Sequence, residues 1–182
     1  MDAKILQEPL HERHRGDALR RAGCWLMLGA LLGAVATVAI LRWRLADPTP
    51  ALTEELFHAA RQRWAERGPK DYDVEVVVQG PQPATYRVLV RDGESIAAFR
   101  NGQPLAQQRT FGTWSVPGMF GTISRDLAQI ERRRSGNADR FTPDLTLRAS
   151  FDPELGYPRH YLRIETGSTQ DVSWDVKKFE VR

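Results

Sequence analysis

From Ala22 to Leu41 the chain reads AGCWLMLGALLGAVATVAIL, twenty residues without a charge. About twenty apolar residues, at 1.5 Å rise each, are what a helix needs to cross roughly 30 Å of hydrocarbon. Arg20 and Arg21 close the run on one side, Arg42 and Arg44 on the other. Trp25 and Trp43 lie near its ends, where amphipathic rings favour the membrane interface. A cleavable signal peptide needs small residues after its apolar region; here Leu41-Arg42-Trp43-Arg44 follows instead. A lipoprotein signal places its cysteine after the run, whereas Cys24 stands near its start. The run therefore predicts an uncleaved, single-pass signal anchor. On this reading residues 1–21 are a short cytoplasmic tail, 22–41 a transmembrane helix in the lipid bilayer, 42–50 a linker and 51–182 a soluble domain.

Five Lys/Arg precede the run, and Arg42, Arg44 and Arg61 follow within about twenty residues. Positive charge is retained on the cytoplasmic side. The expected placement is the cell inner membrane, with the N-terminus in the cytoplasm and the C-terminal domain outside. Gly29 and Gly33 form G-x-x-x-G, beside Ala30 and Ala34. Small residues at that spacing let two helices approach, so a homodimer through this face is one expected partnership.

The net charge of +3 describes no basic domain. Seven of the 26 Lys/Arg and five of the 23 Asp/Glu precede position 51, leaving 19 against 18 in the domain. Nucleic-acid binding requires a concentrated electrostatic footprint, and this balance excludes one. The run Arg132-Arg133-Arg134 falls where a helix is expected to end, and cations there complement the helix dipole. The single cysteine excludes an intrachain disulfide.

Within the domain, Leu45-Ala46-Asp47-Pro48-Thr49-Pro50 predicts an extended linker, since proline disfavours helix at the residue before it. Thr53 is placed to cap a helix opened by Glu54 and Glu55, with Leu56, Phe57, Ala60 and Trp64 as its apolar stripe. Arg67-Gly68-Pro69 ends it. The period then changes to two. Tyr72, Val74, Val76 and Val78 alternate with polar residues, as do Tyr86, Val88 and Val90; Asp92-Gly93 turns into a third strand over Ser95–Arg100. A second helix is predicted over Pro117–Ser135, its core stripe Phe120, Ile123, Leu127 and Ile130. Leu145–Phe151, a strand carrying His160, Leu162 and Ile164 on one face, and a last strand from Val172 complete the pattern. In that last strand the apolar phase slips at Lys177-Lys178, which predicts a bulge. The expected fold is α+β: an antiparallel sheet of about five or six strands with two helices packed on one face, preceded by one transmembrane helix.

Trp64, Asp71-Tyr72-Asp73, the Val88–Gly93 hairpin, Pro117–Ile123, and Phe151-Asp152-Pro153 with Gly156-Tyr157-Pro158 together resemble an uncharacterised bacterial extracytoplasmic family, a domain of unknown function (DUF6174-like). The resemblance spans roughly Leu52 to Val181. It implies an anchored extracytoplasmic placement and a fold type, and no activity. Many members carry a cysteine pair beside the first strands, which this chain lacks.

No H-E-x-x-H, C-x-x-C, G-x-S-x-G, S-x-x-K or Walker-type motif occurs, and four histidines with one cysteine cannot assemble a zinc site from those residues alone. No cofactor, metal or catalytic residue is assigned. His160 reads as a hydrogen-bonded residue of an apolar face. Asp71 and Asp73 read as solvated ends of an edge-like strand. Trp114, Tyr157, Pro158 and Tyr161 form the candidate partner-binding surface, since aromatic rings around loops mark interfaces. The leading expectation is a membrane-tethered extracytoplasmic binding or assembly module, with an envelope protein as partner. The alternatives are an envelope enzyme, hydrolase-like, using His160, and a transmembrane sensor relaying through the short tail. Alkaline phosphatase fused after Arg182 is expected to be active, because it folds only in an oxidising compartment; activity of a cytoplasmic reporter at the same position would reverse the orientation.

Overall fold

A computed structural model describes residues 49–139 and 142–182. The expected tail, the apolar run 22–41, Gly29, Gly33 and most of the linker lie outside the described residues. Among those described, no helix is long and apolar enough to cross a membrane. The compact unit begins at Thr49, two residues before the expected boundary.

The element order is α1 (Glu54–Arg67), β1 (Tyr72–Gln79), β2 (Ala84–Arg91), β3 (Glu94–Arg100), β4 (Gln103–Pro104), a 3₁₀ helix η1 (Gln108–Trp114), α2 (Val116–Arg134), β5 (Leu145–Phe151), β6 (Pro158–Glu165) and β7 (Val172–Val181). The described fold thus corrects the expectation: three helices and a seven-stranded, wholly antiparallel sheet ordered β4-β3-β2-β1-β7-β6-β5 replace two helices and five or six strands. The additions have one cause. A two-residue strand shows no alternation, and a single 3₁₀ helix of seven residues buries none of its residues, so neither leaves an apolar period to read.

Two meanders, β1–β4 and β5–β7, are joined by the pairing of β1 with β7. Val76 pairs with Val176 and Glu75 with Lys178, so Lys177 is the extra residue of a bulge at the expected place. Through it Trp174 and Val176 on one side and Phe179 on the other all keep to the core face. That face carries Val74, Val76, Val88, Val90, Leu147, Ala149 and Trp174, and both helices press Phe57, Ala60, Met119, Phe120 and Ile123 into it. Thr53 Oγ1 accepts from the Leu56 N–H at 3.2 Å, and Ser115 Oγ from the Gly118 N–H at 3.3 Å. These caps start α1 and α2, the second one residue earlier than expected, with Pro117 inside its first turn.

Both sheet edges are short or covered. Leu52 N–H donates to the Leu147 carbonyl at 2.9 Å, Ala149 N–H to that of Pro50 at 3.2 Å, and the Arg148 guanidinium to that of Thr49 at 3.0 Å. The last linker residues are therefore laid along β5, which masks an edge otherwise open to pairing with another chain.

Asp73 also departs from expectation. β1 lies in the middle of the sheet, and the Asp73 side chain is only 7% exposed, on the face away from the helices. Arg91 reaches it at 2.9 Å, Arg182 at 2.9 Å and Arg87 at 3.4 Å. Burial pushes its carboxyl up, but the three guanidiniums outweigh this and hold it below the usual range. A folded-state value below the unfolded one, near 4, stabilises the fold above that pH and is lost as pH falls through the folded value. Urea unfolding should therefore show the stability difference between wild type and Asp73→Asn, about 2 kcal/mol at pH 7, shrinking towards pH 3. A difference independent of pH would exclude this role.

Candidate functional site

The four aromatic and proline residues singled out by sequence do not form one surface. Tyr161 is 1% exposed and Pro158 is fully buried. Tyr161 faces the helices: its hydroxyl donates to Asp126 Oδ2 on α2 at 2.6 Å, and its ring leans on Trp174 at 5.3 Å. Burial and the neighbouring Asp126 carboxylate push the Tyr161 phenol far up, so it remains a hydrogen-bond donor.

Tyr157 closes a different stack, at the end of the core where β1 starts. Its ring lies on Phe179 at 4.3 Å, and Phe179 on Tyr72 at 5.2 Å; Trp64 meets Tyr72 edge-on at 5.5 Å. Tyr72 is buried, which pushes its phenol up to about 12, and its oxygen accepts from the Val116 N–H at 3.1 Å. The loop before Tyr157 is tied to α1. Asp152 accepts from the Glu154 and Leu155 N–H groups at 3.0 and 2.8 Å, and the Pro153 carbonyl from Arg63 at 3.2 Å. Gly156 has φ +86°, and a Cβ there would overlap the Ala60 carbonyl of α1. Glycine is thus required twice over, for the turn and for the close approach. The Phe-Asp-Pro…Gly-Tyr-Pro signature is a docking clamp between loop and helix. The Pro117-Gly118 pair has a similar origin, since a Cβ on Gly118 would run into the Gly112 and Thr113 carbonyls of η1.

Trp114 alone of the four stands at an opening. It ends η1 and stacks on Tyr86 of β2 at 5.1 Å with 26° between planes, with its neighbour Trp174 edge-on at 6.1 Å. Arg100 sits 6.0 Å from the Tyr86 ring centre. The two half-buried rings form one wall of a hollow of about 300 Å³, completed by Val78, Val172, Pro81 and the exposed Gln79 and Gln82. It lies where the β1–β2 turn meets the start of β7, at the end of the core opposite Tyr157. Tyr86, Gln79 and Gln82 escaped sequence reasoning because they are distributed over a strand, a strand end and a turn. Their only signal was the Gly80-Pro81-Gln82-Pro83 turn itself.

His160 does share a face with Leu162 and Ile164, but that face points away from the helices. The pairing of Tyr161 with Ala149 and of Arg163 with Leu147 puts the odd-numbered residues of β6 over the core. His160 Nδ1 lies 3.0 Å from Asp175 Oδ1, and Ser150 is its register partner on the other side. A Ser, a His and an Asp thus occupy neighbouring positions across β5, β6 and β7. A relay of that kind works through a hydrogen bond from nucleophile to base, and among the described residues none joins Ser150 to His160. No group of three or more metal-ligating side chains occurs among the described residues.

Comparison with protein-family models and with curated proteins gives no match. The family resemblance accordingly rests on the residues that carry it.

Truncating Tyr157 to Ala removes a stacked, half-buried ring and should cost about 2–3 kcal/mol. Thermal unfolding should register this as a drop of several degrees; a melting temperature within a degree of wild type would make the loop a binding surface instead.

Proposed function

We propose that the folded domain is a binding module of the cell envelope, held at the membrane by the apolar run 22–41, and that it engages its partner at the hollow beside Tyr86 and Trp114. The observation that carries this reading is the distribution of aromatic side chains. Tyr72, Tyr161 and Trp174 are buried, and Tyr157 closes an internal stack. The Tyr86–Trp114 pair instead borders open space, with two amide side chains at the rim. Half-exposed aromatic rings beside a few polar groups are the usual composition of a recognition site. The uncharged run supports the tether, and the charge asymmetry around it supports an exported domain.

Pro83 is exposed in the turn beside the rim and does not line the hollow, so a photoreactive benzophenone side chain there perturbs neither a core contact nor the proposed site. Irradiation of intact cells should give a discrete adduct of the full chain, whether the neighbour is polypeptide or glycan. The adduct should disappear when Trp114→Ala is introduced. Absence of an adduct at Pro83, or one indifferent to Trp114, would overturn the proposed site.

A further inference from the structure

The chemistry of this hollow narrows the ligand class, given the reading of the domain as a binding module. Its lining carries no charged side chain. A phosphate, carboxylate or ammonium brought into it would lose water without gaining a counter-charge, which is costly. Of the ligand classes weighed, a neutral one fits this lining best. Gln79 and Gln82 each bring an amide with two N–H donors and a carbonyl acceptor, and neither side chain is engaged in a hydrogen bond among the described residues. Paired donors and acceptors on flexible stems match hydroxyl groups, which both give and accept. The remaining lining, Val78, Val172 and the two aromatic rings, demands an apolar surface on the same molecule.

A proline-rich peptide is the competing neutral ligand. Such segments seat their prolines in slots between separated aromatic ridges. Here the rings are stacked on one another at 5.1 Å, so no slot opens between them. A pyranose ring fits better: one apolar face of C–H groups and a rim of hydroxyls, in a size that a hollow of about 300 Å³ accommodates. We propose that the Tyr86–Trp114 hollow binds a neutral saccharide unit of an envelope glycan, with its C–H groups against the apolar lining of Val78, Val172 and the aromatic pair and its hydroxyls on Gln79 and Gln82.

Saturation-transfer NMR on the full chain, held in a sugar-free zwitterionic detergent, tests this with cellotetraose, maltotetraose and chitotetraose as probes and decaproline as the competing one. At least one oligosaccharide should receive saturation, and the double variant Gln79→Ala/Gln82→Ala should weaken its binding at least tenfold. Both glutamines are exposed, so the fold should survive their loss, and an unchanged far-ultraviolet spectrum checks this. Transfer to decaproline alone, transfer to no saccharide, or saccharide binding indifferent to the glutamines each overturns the proposal. The two readings fail separately: a Trp114-dependent adduct at Pro83 with no saccharide bound retains the binding site and removes the ligand class, whereas no adduct and no saccharide removes both.

Discussion

The pairing of β1 with β7 joins two meanders that are otherwise independent hairpin assemblies. Its partners are far apart in the chain: the Arg182 guanidinium reaches Asp73 across 109 positions. Bringing such distant segments together costs loop-closure entropy before any contact offsets it. The pairing is accordingly stabilised on both faces. Towards the helices, Tyr72 and Phe179 stack in the core. On the other face, Asp73 collects the guanidiniums of Arg87, Arg91 and Arg182, which belong to β2 and to the end of the chain after β7. One carboxylate thereby pins three segments in a single register.

Because this seam fixes the sheet, it also decides which surfaces remain for recognition. At the β1 start and β7 end, Tyr72, Phe179 and Tyr157 stack on one another, and the Asp152 loop is fastened to α1 through Arg63. At the opposite end Trp114, at the close of η1, meets Tyr86 beside an open hollow. The proposed binding site is the aromatic pair beside that hollow. The signature that looked most distinctive in the chain, Phe-Asp-Pro…Gly-Tyr-Pro, belongs to the end where β1 starts, and its glycine and its aspartate serve backbone geometry.

Much of the local structure was legible from residue order. Thr53 and Gly68 bounded α1, the period-two valines marked β1 and β2, and the phase slip at Lys177 marked a bulge, because each depends on neighbours only a few residues away. The orientation of β6 was not legible. His160, Leu162 and Ile164 are the more apolar alternate set, yet Tyr161 and Arg163 face the helices, where Asp126 satisfies the tyrosine hydroxyl at 2.6 Å. A polar residue can line a core face when a partner on another element meets it, and that partner lies 35 positions away. For the same reason Asp73 read as a solvated end: nothing near it in the chain announces the three arginines that bury it.

By itself the sequence determined the uncharged run at 22–41, the near-neutral balance of the domain, the caps, and the alternation that makes most of its strands. All of these follow from short-range spacing and composition. Only the tertiary structure decided the strand order, the depth of Asp73, the inward turn of Tyr161 and Pro158, and the meeting of Tyr86, Trp114, Gln79 and Gln82 around one hollow. These depend on which strands become neighbours, and backbone pairing between distant segments carries no side-chain code of its own.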